Sequence, residues 1–102
     1  MDIAELEKRV KNFEQRSFPM GHRTPLDNGV NLTVLQAEII AIVWGVIRTD
    51  GLISSRQKRD LERDVEQLKN SFNYLRSEEA KEHFKTLVEI AETVLEKASL
   101  AG

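Results

Sequence analysis

The stretch LTVLQAEIIAIVWGVIRTDG, residues 32–51, decides the fold. At 100° per residue its apolar side chains fall on two sides of a helix. Leu35, Ile39, Ile42 and Val46 make one side, and Ile40, Trp44 and Ile47, with Ala37 and Ala41 beside them, make another about 130–150° away. A helix that is apolar around most of its circumference has to be covered around most of it. The run from Leu32 to Ile47 is about 16 residues long and is interrupted by Gln36 and Glu38, whereas a bilayer asks for roughly 20, so it predicts a buried core helix and not a membrane span. Thr33 followed by Gln36 resembles a capping box at its start, and Asp50-Gly51 supplies its stop, since glycine accepts the left-handed geometry of a helix end.

Upstream, Ile3, Leu6, Val10 and Phe13 alternate spacings of three and four, the stripe of an amphipathic helix that ends before Pro19. Between the two helices, Ser17 to Asn31 carries Pro19, Gly21, Pro25 and the turn-forming Asp27-Asn28-Gly29 without a sustained period. It reads as a long loop, either functional or a strap whose Phe18 and Met20 plug the core. Downstream, Leu61, Val65, Leu68, Phe72 and Leu75 form a heptad-like seam opening at Ser54 or Ser55, with Arg56, Lys58, Arg59, Asp60, Glu62, Arg63 and Asp64 on a solvated face. Ser77, followed by Glu78 and Glu79, caps a fourth helix whose stripe is Ala80, Phe84, Leu87, Val88, Ala91, Val94 and Leu95.

These patterns predict an all-α, four-helix bundle-like domain over residues 1–102. Its helices are expected at about 2–16, 33–49, 55–76 and 77–98, with a loop over 17–31 and a fraying tail over 99–102. Length and composition agree with one core: 102 residues, 40% hydrophobic, 31% charged. The chain has no cysteine, which removes disulfides, thiolate metal sites and thiol nucleophiles. A net charge of −2 offers no global field for nucleic-acid phosphates, and the acids interleaved with Arg56, Lys58, Arg59 and Arg63 oppose a helix-turn-helix reader. The N-terminal ten residues lack the basic start and apolar run of a secretory signal, so a cytoplasmic protein is expected.

Few residues suggest chemistry. Asp50-Gly51-x-Ile53 is similar to the middle of an EF-hand loop, yet Val46, Arg48 and Gln57 stand where calcium needs carboxylates. The same turn resembles, over about a seventh of the chain, the helix, Asp-Gly, helix junction of TerB-like tellurite-resistance domains; that resemblance implies a helical fold and no particular activity. Glu79 and His83 lie one helical turn apart, but two ligands make no metal site, and His83 reads as a surface residue. Ser54 and Ser55 lack a base at catalytic spacing and serve as helix caps. No cofactor and no metal site is expected.

The expected function is therefore a non-enzymatic protein-interaction module, homodimeric through the two-faced second helix. Ile40, Trp44, Ile47, Phe18 and Met20 are its partner-binding candidates, Trp44 foremost because tryptophan is enriched at interface hot spots. One alternative is an inhibitor that neutralises a partner protein in the manner of bacteriocin immunity proteins or antitoxins. Another is a small-molecule or metal binder using the loop, with His22 and Arg23 as polar contacts.

Overall fold

Four short polar side chains set where the helices begin. In the computed structural model, which describes residues 1–101, Asp2 accepts from the Glu5 amide at the head of α1 (Ile3–Glu14), and Ser77 from the Ala80 amide at the head of α4 (Glu78–Lys97). Ser54 opens α3 (Ser55–Asn70) with a complete capping box: its hydroxyl accepts from the Gln57 amide at 3.0 Å, and the Gln57 side chain accepts from the Ser54 amide at 2.9 Å. Each device satisfies amides that a helix start otherwise leaves bare.

The cap of α2 (Leu32–Arg48) departs from the expected one. Asn31, not Thr33, takes the position, its carboxamide accepting from the Thr33 and Val34 amides. Asparagine at a cap competes well with threonine, and Gln36 is then free for another partner. The α2 stop also shifts by one residue. The Gly51 amide donates to Val46 and the Asp50 amide to Ile47, a Schellman pattern in which Asp50 (φ 55°) is the left-handed residue and Gly51 (φ 99°) follows in the same half of backbone space. Helix α3 ends at Asn70, six residues short of the expected 76, and a single 3-10 turn at Phe72–Tyr74 follows, with the Ser71 hydroxyl donating to the Gln67 carbonyl.

Helix α2 packs against α1, α3 and α4, and α3 and α1 each also pack on α4. The core is one cluster, with Leu6, Val10 and Phe13 of α1, Leu35, Ile39, Ile42, Val43 and Val46 of α2, Leu61, Val65 and Leu68 of α3, and Phe84, Leu87, Ile90, Ala91 and Val94 of α4. Among the described residues no helix is long and apolar enough to cross a membrane.

The end of the chain does not fray as expected. Ser99 and Leu100 (β2) run parallel to Leu52 and Ile53 (β1), the Ser99 amide donating to the Gly51 carbonyl at 2.9 Å and the Ala101 amide to the Ile53 carbonyl at 2.8 Å. Two residues are too few for the alternation by which strands are read from sequence. Of the expected fraying segment, Gly102 lies outside the described residues.

Candidate interaction surface

Three neighbours bury α2 over Leu32, Leu35, Ile39, Ile42, Val43, Val46 and Ile47. What they leave to solvent is a strip of small uncharged residues: Val34 (57% exposed), Ala37 and Ala41, flanked by half-buried Ile40, Trp44 and Gly45. The only charged residue between Leu32 and Ile47 is Glu38, and its carboxylate is turned aside onto the Arg63 guanidinium at 2.8 Å. The open arc of the helix is therefore centred on Val34, Ala37 and Ala41 and not on Ile40, Trp44 and Ile47.

The seven residues singled out from the sequence fare differently. Ile47 is buried. Trp44 is half-buried against the core, and its indole Nε1 donates to Glu14 Oε1 of α1 at 2.8 Å. Phe18, Arg23 and Ile40 come together, with Glu14, Arg16 and Ala37, around one open depression of about 380 Å³ beside the α2 strip. The Arg23 guanidinium sits 5.0 Å above the Phe18 ring, a cation–π contact. Met20 is 91% exposed and plugs nothing; of the two residues expected to fill the core Phe18 alone does so, half-buried and edge-on against His83 and Phe84, and the strap's fully buried apolar side chain is Leu26.

His22 is buried in the loop and fully occupied: Nδ1 donates to the Met20 carbonyl at 2.9 Å, and Nε2 accepts from the Arg76 amide at 3.0 Å. The Arg76 guanidinium spans the same loop, donating to the Gly21 carbonyl at 2.7 Å and the Pro25 carbonyl at 3.0 Å, while Asn28 donates to the Ser71 hydroxyl. With both ring nitrogens spent on backbone, His22 holds the strap in place.

Two polar groups read as surface residues are in fact buried. His83 lies in an aromatic nest, its ring centroid 4.5 Å from Phe13 and 4.8 Å from Phe84, with Nε2 at 2.8 Å from Gln36 Oε1. Loss of hydration in that nest, and secondarily the Arg16 charge, lower its pKa to about 4, so near neutral pH the ring is uncharged and donates to Gln36. Asp64 is buried under the α2–α3 seam. Desolvation first, then the carboxyl of Glu38, raise its pKa to about 7 against the pull of Arg63. An open depression of about 480 Å³ above this seam is lined by Glu38, Ala41, Arg56, Asp60 and Arg63, so the α2 strip runs as a ridge between two charged hollows.

Asp50 is exposed in its cap, and among the described residues no group of three or more acidic or histidine side chains is placed to hold a metal ion. No family model matches the chain. Comparison with the curated proteins gave no match, and neither did comparison with solved structures.

Proposed function

We propose that this chain is a non-enzymatic protein-interaction module that pairs with a second copy of itself along the outward strip of α2. The observation that supports it is the strip: Val34, Ala37, Ala41 and Gly45 line three turns of the outward side of α2 with small or apolar residues, on a chain of which 31% is charged. Exposed apolar patches rimmed by polar groups mark contact sites, and small residues let another helix approach closely. A second copy is the favoured occupant because both hollows beside the strip mix signs: Glu14 with Arg16 and Arg23 on one side, Glu38 and Asp60 with Arg56 and Arg63 on the other. A strongly acidic or strongly basic partner would meet like charge on either flank, whereas a surface of mixed sign can complement itself.

The test is the mass of the particle. Gel filtration with light scattering at about 100 μM is expected to give a dimer. Ala41→Glu, which places a carboxylate on the strip without touching the core, is expected to give a monomer of undiminished helicity. A wild-type chain that is strictly monomeric at that concentration overturns self-association, and an unchanged dimer for Ala41→Glu moves the contact elsewhere.

A further inference from the structure

A buried carboxylate oxygen without a donor requires an explanation, because desolvation of such a group is costly. Asp64 Oδ2 is such an atom: it is enclosed, and among the described residues nothing donates to it. The other oxygen, Oδ1, has only a long contact of 3.5 Å to Arg63 Nη2, and that same nitrogen is committed to Glu38 Oε1 at 2.8 Å. Glu38 projects from α2 and Asp64 from α3, and their carboxyl groups converge on one nitrogen, Arg63 Nη2, at 2.8 and 3.5 Å. Two ionised carboxylates offer acceptors only, so neither can satisfy the other. A single proton between them satisfies both.

We propose that α2 and α3 are joined by a proton-operated clasp, in which Asp64 retains its proton and donates it to Glu38 while Arg63 neutralises the charge left on the pair. With the proton in place the seam is an O–H···O⁻ bond of the charge-assisted kind. When the proton leaves, two carboxylates face each other across the seam with one guanidinium to share, and the helices are pushed apart at the flank that carries Ala41. The remaining charges around the seam do not replace the proton. Asp60 on α3 adds a third carboxylate, 3.3 Å from Arg63 Nη1, and Arg56 lines the hollow above without an ion pair to Asp64. On α4, the charged groups facing α3 are Lys85, Glu89 and Glu92, gathered about Lys69 and Phe72 away from the clasp. The upward displacement of the Asp64 pKa, to about 7, has the direction this arrangement requires.

The sign of the linkage follows. The folded chain holds a proton at Asp64 that the unfolded chain has released above its ordinary carboxylate range. Between about pH 4 and pH 7 the clasp therefore loses stabilising effect as pH rises, changing the folding constant by up to tenfold per pH unit for one proton. The deciding measurement is a carbon-13 NMR titration of the Asp64 carboxyl in the intact chain. A midpoint between 6 and 8 is expected; a midpoint below 5, the range of an ordinary aspartate, overturns the clasp. Asp64→Asn retains a donor toward Glu38 without a titrating proton, and its denaturant-derived folding constant is expected to gain on the wild type progressively as pH rises from 5 to 8. A constant ratio of the two over that range also overturns it. If Asp64→Asn does not fold, Glu38→Gln tests the same point by NMR: removing the neighbouring charge while keeping an acceptor lowers the Asp64 midpoint, and an unmoved midpoint counts against the pair. The NMR midpoint reads the pair in a monomer as in a dimer, and the folding constants are compared at one protein concentration.

Discussion

His83 and Asp64 occupy core positions of their helices. Ala80, His83, Leu87, Ile90 and Val94 follow the alternating spacing of three and four that marks a buried stripe, and so do Leu61, Asp64 and Leu68. The signal for burial was thus present in the sequence, and residue type masked it, since charged and histidine side chains are seldom enclosed. Their titrations oppose one another. His83 has a folded pKa near 4, below its unfolded value of 6.5, so its contribution is complete above about pH 6.5 and is lost as pH falls toward 4, by about 3 kcal/mol. Asp64 loses stabilisation as pH rises through the same window. A wild-type pH–stability curve flatter than either group alone would give is the expected result. His83→Phe, which keeps the aromatic contacts and removes the titration, is expected to leave a stability that declines steadily from pH 4 to 7. At neutral pH it should also cost about 1 kcal/mol for the Gln36 bond it forfeits. Equilibrium urea unfolding at several pH values checks both statements.

At the level of elements, periodicity gave all four helices and the loop after the first, because an apolar stripe is encoded residue by residue. Helix ends were less legible. Asn31 and Thr33 are both competent caps, and which one acts depends on where Gln36 is needed, namely at His83, 47 residues away in the chain. The strap over 17–31 was legible as irregular, but its role was not, since its anchors lie in the turn before α4. The backbone and side chain of Arg76 together make three hydrogen bonds to the strap, and no local pattern announces them. Arg76→Ala removes the two side-chain bonds and keeps the amide bond to His22. The expected loss is about 1–2 kcal/mol, as charge-assisted bonds on a partly exposed group are worth. Faster proteolytic cleavage within 17–31 than elsewhere in the chain should accompany it, and limited proteolysis with mass spectrometry reads that out.

For the whole molecule, the last third is tied directly to both other parts of the chain: α4 packs on α1, and β2 lies on β1 directly after the α2 turn. Ending the chain at Ala98 deletes the Ser99 and Ala101 amide bonds to Gly51 and Ile53. A fall of about 1–2 kcal/mol in unfolding free energy is expected, with amide exchange accelerating first in residues 50–54. The candidate surface was only half legible at this scale. Helical geometry showed that α2 had two apolar faces, and placed the second on Ile40, Trp44 and Ile47. The chain meets most of that demand itself, with Trp44 tied to Glu14 of α1, and what remains open is the smaller-residue arc between the hollows.

That tie between Trp44 and Glu14 has a practical consequence. The chain has one tryptophan, and it stands at the border between the core and the open arc of α2 with its indole hydrogen bonded to a solvent-facing carboxylate. Its intrinsic fluorescence is consequently a native optical probe of this one location, free of competing indoles: whatever covers the arc or loosens α1 from α2 changes the water around a single emitter, and the colour of its light reports it without any label.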